Sequence, residues 1–207
     1  MTKNIRKVSN IRYASIREMD ISNGEGVGVA LFVQGCPFNP HCYNCFNPDT
    51  WDFNGGKEWT LEIKDKFLEL IDRPYIKRVS ILGGEALADQ NLDEIFDLIS
   101  DIKRRFSDTK TIWLYTGYTL KLSKLNYIDP TDNYKAKQDY NFYTTESSKN
   151  IMSNFLRSEV IEKVDVVVDG RYIDSQRDIS LKWRGSSNQR VISVQESLKQ
   201  GKVITLV

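Results

Sequence analysis

Residues 35–47 read Gly-Cys-Pro-Phe-Asn-Pro-His-Cys-Tyr-Asn-Cys-Phe-Asn, and this stretch holds every cysteine of the 207-residue chain. The three cysteines, Cys36, Cys42 and Cys45, have the spacing C-x5-C-x2-C. Thiolates are soft ligands that suit iron–sulfur clusters, zinc or copper(I). Three thiolates are one fewer than a closed structural zinc or cluster site uses. A cluster held by three cysteines would keep one iron without a protein ligand, and such an open position is where chemistry can take place.

Three other interpretations of the cysteines remain open. A structural zinc site would take His41, the only histidine, as its fourth ligand, although its neighbour Cys42 would have to point at the same metal. Cys42 and Cys45 could instead form a redox dithiol, which leaves Cys36 without a role. The cysteines could also be ordinary core residues. The prolines and asparagines between them, however, are typical of an irregular loop.

Length and composition predict a single domain over residues 1–207, in a soluble globular protein with 40% hydrophobic and 28% charged residues. The net charge of +1 argues against a nucleic-acid-binding stripe or a membrane-surface face. No apolar run approaches the roughly 20 residues of a membrane span. An odd, clustered set of cysteines does not suit a secreted disulfide framework, so a reducing cytoplasm is expected. One histidine gives ordinary acid–base hydrolysis little to work with.

The order of predicted elements indicates an α/β fold, because strands that alternate with helices form parallel sheets with right-handed crossovers. Strands are predicted at 11–16, 27–34, 77–82, 111–115, 164–168, 190–194 and 202–206. Helices are predicted after Thr60, after Asn91 and near 148–162, and Asn91 with Glu94 resembles a capping box. Residues 126–147 are polar and without a period, which predicts an insertion or a long surface loop.

Four segments directly follow predicted strands: the cysteine loop, Gly83-Gly84-Glu85, Thr116-Gly117-Tyr118 and Asp169-Gly170-Arg171. Ligand sites of parallel sheets gather at the carboxyl ends of the strands, so the four segments are predicted to face one cavity. Two glycines allow a ligand close to the backbone, and Glu85 could accept hydrogen bonds from a ligand ammonium group. The plainer alternative is a glycine turn with Glu85 at the surface.

A polar loop over residues 181–190 carries one tryptophan and two arginines. Its amides and arginines could bind a polar ligand or the backbone of a partner. A solvated connection before a strand is equally compatible with this composition.

Together these segments resemble the radical S-adenosylmethionine (SAM) superfamily, and within it the glycyl radical enzyme activases that act on the anaerobic ribonucleotide reductase. The resemblance covers most of the chain and rests on Gly24–Gly26, Ala30–Cys36, Cys42–Asn47, Gly83–Glu85, Trp113–Tyr118, Asp165–Arg171 and Arg184–Arg190. The last three segments are particular to the reductase activases. Three features depart from the pattern: the superfamily usually has C-x3-C-x2-C, the family often has arginine where this chain has Gly28, and residues 126–147 are longer than the usual connection.

The resemblance implies an incomplete (open) parallel β/α barrel and a radical SAM oxidoreductase. It implies that Cys36, Cys42 and Cys45 hold one 4Fe-4S cluster, whose fourth iron binds the amino and carboxylate groups of SAM. One electron from the cluster would cleave SAM to methionine and a 5′-deoxyadenosyl radical. That radical would take a hydrogen atom from a glycine of the large reductase subunit.

The resemblance also assigns the SAM contacts. Gly83, Gly84 and Glu85 would bind the ammonium group, Phe46 would lie against the adenine end, and Asn44 would assist there. No catalytic side chain is implied beyond the cluster ligands. The implied partners are the large subunit, in a transient complex, and a low-potential electron donor such as flavodoxin.

Two alternative functions belong to other classes. One is a different radical SAM enzyme, either a pyruvate formate-lyase type activase or an enzyme of deazapurine synthesis, against which the Arg184–Arg190 segment argues. The other is a non-catalytic zinc or iron–sulfur binding module.

Overall fold

The computed structural model describes residues 11–124, 140–144 and 151–207, which form a mixed α/β fold around one large sheet. In chain order the elements are β1 (Arg12–Asp20), β2 (Gly28–Val33), β3 (Lys57–Glu58), α1 (Leu61–Asp72), β4 (Arg78–Gly83), α2 (Leu92–Phe106), β5 (Thr111–Tyr115), β6 (Leu120–Lys124), β7 (Tyr140–Thr144), α3 (Ile151–Lys163), β8 (Val166–Asp169), β9 (Arg190–Ser193) and α4 (Val194–Gln200). Short 3₁₀ turns occupy Pro48–Thr50, Ser107–Thr109 and Asp174–Gln176.

The large sheet has seven strands in the order β3-β1-β2-β4-β5-β8-β9. The four central strands, β2, β4, β5 and β8, are parallel, as the alternation of strands and helices predicts. The edges differ from that prediction, because β1, β3 and β9 are antiparallel to their neighbours. The chain reverses direction at the short turn of residues 21–27 between β1 and β2, and no crossover helix lies between β8 and β9, so neither of these pairs can be parallel.

Side chains of the central strands alternate between two faces of the sheet, as the period of a strand requires. One face packs in the main core with buried residues of α1, α2 and α3, and contributes Val29, Leu31, Val79, Ile81, Ile112, Leu114 and Val167. The opposite face carries smaller clusters, made of Ala30, Phe32, Leu82, Trp113, Val166 and Val168. The second face is the one that borders the functional cavity described below.

The two predicted helix caps have different outcomes. Thr60 caps α1 as predicted, because its hydroxyl accepts a hydrogen bond from the amide of Ile63. The capping box at Asn91 is wrong, because the Asn91 side chain makes no cap hydrogen bond. Its amide nitrogen donates instead to the backbone carbonyls of Gln34 (3.0 Å) and Glu85 (2.9 Å). Asn91 therefore joins the segments that follow β2 and β4.

Two further predictions concern the second half of the chain. The strand predicted over 202–206 is wrong, since that segment makes only an isolated bridge between Thr205 and Ile192. Within the segment 126–147, residues 140–144 form β7, which pairs with β6 in a separate two-stranded sheet. The rest of the predicted insertion lies outside the described residues. None of the helices in the described ranges is long and apolar enough to cross a membrane.

Candidate functional site

A cavity of about 600 Å³ lies at the carboxyl ends of the parallel strands. Its wall includes residues of all four segments predicted to converge there: the three cysteines, Gly83-Gly84-Glu85, Thr116-Gly117 and Gly170-Arg171. The convergence follows from the parallel register of β2, β4, β5 and β8, which brings the ends of these strands to one edge of the sheet. The alternative that Gly83-Gly84-Glu85 is an isolated surface turn is therefore wrong.

The three cysteines are free and partly buried. Burial raises the pKa of the Cys36 thiol to about 11, and the neighbouring Glu85, Cys42 and Cys45 contribute to the same shift. The Cys45 sulfur accepts a hydrogen bond from the amide of Asn47 at 3.4 Å. Hydrogen bonds of this kind to cysteine sulfur also surround iron–sulfur clusters.

The thiolates of the three cysteines suit an iron–sulfur cluster, and His41 does not complete a zinc site with them. Across residues 11–124, 140–144 and 151–207, no group of three or more His, Cys, Asp and Glu is arranged to hold a single metal ion. A cluster places its thiolates on different irons, so its ligands surround a wider space than the ligands of one ion. His41, the proposed fourth zinc ligand, is not among the described residues that line the cavity. Its ring stacks on Trp51 instead, with centroids 4.2 Å apart.

Backbone hydrogen bonds hold the Gly83-Gly84-Glu85 segment against the start of the cysteine loop. The amide of Gly84 donates to the carbonyl of Val33 at 2.9 Å, and the amide of Glu85 donates to that of Gly35 at 2.7 Å. A Cβ atom on Gly84 would overlap the Gly35 carbonyl oxygen and lie 2.8 Å from that of Thr50. Position 84 therefore requires glycine because two other backbone segments occupy the space of a side chain.

Replacing Gly84 with alanine is expected to lower the free energy of unfolding by about 1–3 kcal/mol, because the added methyl group has to displace backbone rather than a flexible side chain. Denaturant unfolding of the metal-free protein measures this change. Asn54→Ala, an exposed position in the nearby loop, is the control and should stay within about 0.5 kcal/mol of the parent. Equal stabilities for Gly84→Ala and the parent would show that the two loops are not held this closely.

Glu85 is fully buried, so it is not the surface residue of the plainer alternative. Its Oε1 accepts hydrogen bonds from the Leu87 amide (2.9 Å) and the Thr116 hydroxyl (2.8 Å), and its Oε2 accepts one from the Gly117 amide (2.7 Å). Burial raises the pKa of Glu85 to about 7, although these hydrogen bonds and the charge of Arg157 act in the opposite direction. The carboxylate links the segments after β4 and β5, and Oε2 keeps capacity for a further donor.

Phe46 and Asn44 occupy different positions relative to the cavity. Phe46 lines it, remains 57% exposed, and packs against the ring of Tyr172 with centroids 4.8 Å apart. Asn44 is not among the described lining residues; it adopts a left-handed φ of 53°, and its amide nitrogen donates to Asp174 at 3.2 Å. Phe46 therefore lies at the site, whereas Asn44 stabilises the cysteine loop through its hydrogen bond to Asp174.

The Arg184–Arg190 loop is folded onto the end of β8. The Gln189 side chain accepts hydrogen bonds from the amides of Gly185 and Ser186 and donates to the Gly170 carbonyl. The Arg190 guanidinium pairs with Asp169, and that of Arg184 donates to backbone carbonyls of Gln189 and Val207. Both arginines therefore stabilise the fold of this loop. Arg184 also borders the cavity, together with Gly185 and Gln189.

Several residues that line the cavity from the sheet face are not among the site residues predicted from the sequence. Arg17 of β1 lines the cavity with its guanidinium over the Phe32 ring, and lies just beyond the predicted strand 11–16. Tyr115 of β5 also lines it, and its buried hydroxyl has no hydrogen-bond partner among the described residues. The positions of Trp113 and Tyr115 in β5 predict that both side chains lie on one face of the sheet, since residues two apart in a strand share a face.

The chain is similar to known proteins over most of its length. Residues 22–192 match the family model described as "4Fe-4S single cluster domain". A protein of Escherichia coli K12 named anaerobic ribonucleoside-triphosphate reductase-activating protein is 33% identical over 183 residues, which cover 87% of this chain and 97% of that protein. Proteins of the same name from Vibrio cholerae and from Enterobacteria phage T4 are 32% and 31% identical; the matches cover 86% and 88% of this chain, and 96% and 94% of those proteins.

Proposed function

This chain belongs to the family of anaerobic ribonucleoside-triphosphate reductase-activating proteins and contains its 4Fe-4S domain, and we propose that it activates an anaerobic ribonucleotide reductase by radical SAM chemistry. It is then a radical SAM oxidoreductase whose macromolecular substrate is the large reductase subunit. The observation that carries the proposal is the meeting of the three cysteines and Gly83-Gly84-Glu85 on the wall of one cavity.

The proposed architecture is the incomplete parallel β/α barrel of radical SAM enzymes. Three features support it: the central strands are parallel, the helices pack on one face, and the cavity borders the other. The linear strand order leaves β3 and β9 as separate edges in the described part of the chain. An unclosed sheet is what a macromolecular substrate requires, because a segment of another protein has to reach the reacting centre.

Cys36, Cys42 and Cys45 are the proposed ligands of the 4Fe-4S cluster. When bound, the cluster would supply one electron for the reductive cleavage of SAM to methionine and a 5′-deoxyadenosyl radical, which would take a hydrogen atom from a glycine of the reductase. The protein's own contribution is binding, orientation and the exclusion of water. This division of labour agrees with a site that contains few acid–base residues.

Different residues around the cysteines are proposed to bind the two ends of SAM. The backbone of Gly83 and Gly84 and the free capacity of Glu85 Oε2 are the proposed acceptors for the ammonium group. Phe46 presents an exposed aromatic face for the adenine ring. The cavity volume of about 600 Å³ lies within the roughly 300–1,000 Å³ of pockets that hold ligands of this size.

The side of the cavity formed by the sheet is largely apolar, which suits a reactive intermediate. Phe32, Leu82, Tyr115 and Val168 line the cavity from four neighbouring strands, and Trp183 covers it from the loop after β8. Apolar walls of this kind keep water away from reactive species. They protect a carbon radical against quenching before it meets the glycine.

The partners follow from this chemistry. The large reductase subunit is proposed to dock transiently at the cavity mouth, where Phe46 and the 91% exposed Ile179 offer apolar surface. A low-potential donor such as flavodoxin would supply the electron. Three free cysteines agree with a reducing cytoplasm as the place of action.

Cleavage of SAM tests the proposed function. The protein is reconstituted anaerobically with iron and sulfide, reduced and mixed with SAM, and 5′-deoxyadenosine is quantified with and without the large subunit. We expect cleavage that increases when the large subunit is present. Bound zinc without any cleavage would favour the binding-module alternative, and cleavage indifferent to the reductase would favour another radical SAM enzyme.

A further inference from the structure

The part of the cysteine loop between Cys36 and Cys42 is two residues longer than the usual C-x3-C spacing. Its Phe38 side chain is only 8% exposed. The ring packs edge-on against Tyr118, with centroids 5.1 Å apart, and occupies the space beside Gly117, where a Cβ atom would overlap it. The added length is therefore an ordered segment that is anchored on the end of β5.

Arg171 holds the same segment from the end of β8. Its guanidinium lies 5.0 Å from the centroid of the Phe38 ring, and one of its nitrogens donates to the carbonyl of Pro40. Phe38 is thus enclosed between Tyr118 and Arg171. A planar guanidinium can stack on a ring and donate in its own plane at once, whereas the ammonium group of lysine cannot do both.

Arg171 is itself fixed at its backbone. Its carbonyl accepts a hydrogen bond from the Asn188 side chain at 2.8 Å. The neighbouring Gly170 amide donates to the Tyr118 carbonyl at 3.0 Å. The guanidinium therefore extends from a rigid base, so it can determine where Phe38 and Pro40 lie.

The other half of the cysteine loop is held by different residues. Asn44 donates to Asp174, and Phe46 packs against Tyr172. Removal of the Arg171 side chain should consequently release the segment between Cys36 and Cys42 and leave the surroundings of Cys45 unchanged.

We propose that Arg171 is a positioning residue for the cluster: it holds the lengthened segment 38–40 so that Cys36 and Cys42 reach the same cluster as Cys45. This inference rests on the proposed function, because it takes the three cysteines as cluster ligands. It gives the C-x5-C spacing a physical basis, since a longer loop loses more conformational freedom on closing around a ligand unless it is already ordered.

Cluster retention in Arg171→Ala, Arg171→Lys and the control Arg104→Ala tests the proposal. Arg104 is 78% exposed on α2 and pairs only with Asp101 in the described structure. Each variant is reconstituted, its iron content and the spin-resonance spectrum of the reduced cluster are recorded, and the rate of iron loss to a chelator is measured. Residues that orient metal ligands typically change affinity about 10- to 100-fold when replaced. We expect at least about 10-fold faster loss and an altered spectrum for Arg171→Ala, little recovery in Arg171→Lys, and parent behaviour for Arg104→Ala.

Site-resolved alkylation of the metal-free protein separates positioning from general stability. We expect Arg171→Ala to alkylate several-fold faster at Cys42 and at an unchanged rate at Cys45. Equal acceleration at all three cysteines, or iron loss within twofold of the parent, would overturn the role of Arg171 while leaving the proposed function intact. A parent protein that takes up no cluster would instead remove the proposed function, and this inference with it.

Discussion

Replacement of Cys45 by alanine is expected to reduce cluster iron to background and to abolish cleavage of SAM. With one of three thiolates removed, the remaining two cannot hold a cluster against loss, and the described residues around the cavity offer no fourth cysteine. Iron and sulfide content after anaerobic reconstitution, together with the visible absorption of the cluster, measure the effect.

The matched control for Cys45→Ala is Tyr43→Ala. Tyr43 lies between the second and third cysteines and is 77% exposed, so its removal should leave iron content unchanged. Near-normal iron in Cys45→Ala would contradict the assignment of the three cysteines as ligands.

Replacement of Glu85 by alanine is expected to preserve the cluster and to weaken SAM binding about 10-fold or more. A charge-assisted hydrogen bond contributes about 1.5–3 kcal/mol, and 1.4 kcal/mol corresponds to about tenfold in affinity. The same change leaves the amides of Leu87 and Gly117 and the Thr116 hydroxyl without their acceptor. Each buried unsatisfied group costs about 1–3 kcal/mol, so stability falls as well.

Glu85→Gln separates the two effects. Its amide oxygen can keep the two donors that meet Oε1, while its amide nitrogen faces the Gly117 amide and lacks the charge that attracts an ammonium group. Equilibrium SAM binding and melting temperature are measured on reconstituted protein, at a temperature where each variant is folded. We expect Glu85→Gln to be more stable than Glu85→Ala yet also weak in SAM binding. Unchanged affinity in both variants would restrict Glu85 to a structural role.

The central sheet could be predicted from the sequence because its determinants are local. Continuous apolar runs such as Val29–Val33 are typical of strands buried on both faces, and the loops after them carry the polar residues. The alternation of strands and helices did not predict the antiparallel edges, whose direction follows from the short turn at residues 21–27 and from the absence of a crossover helix before β9. Asn91 shows the same limit, because its partners, Gln34 and Glu85, are brought near only by the sheet.

Gly28 stands where the family often has arginine, and a residue distant in the sequence explains this difference. The buried guanidinium of Arg78 lies against it, and a Cβ atom on Gly28 would come within 2.8 Å of the Arg78 Cζ. Arg78 pairs with Asp20 at 2.9 Å and donates to the carbonyl of Asn23 in the turn before β2. Position 28 has no room for a side chain because an arginine from the neighbouring strand already fills that space.

The candidate site was predictable where it depends on strand ends, and less so where it depends on contacts across the cavity. Gly83-Gly84-Glu85 and the cysteines follow parallel strands, so their convergence could be inferred. Arg171 was placed in the right segment, but its contacts with Phe38 and Pro40 join residues more than 130 positions apart, and no local pattern encodes them.

Electron spin resonance can detect directly the radical that this protein is proposed to generate on the reductase. The reduced, reconstituted protein is mixed anaerobically with SAM and the large reductase subunit, and the spectrum is recorded beside mixtures that lack SAM or contain Cys45→Ala. We expect a glycyl-radical doublet only in the complete mixture. A complete mixture that forms 5′-deoxyadenosine without the doublet on the reductase would contradict this expectation.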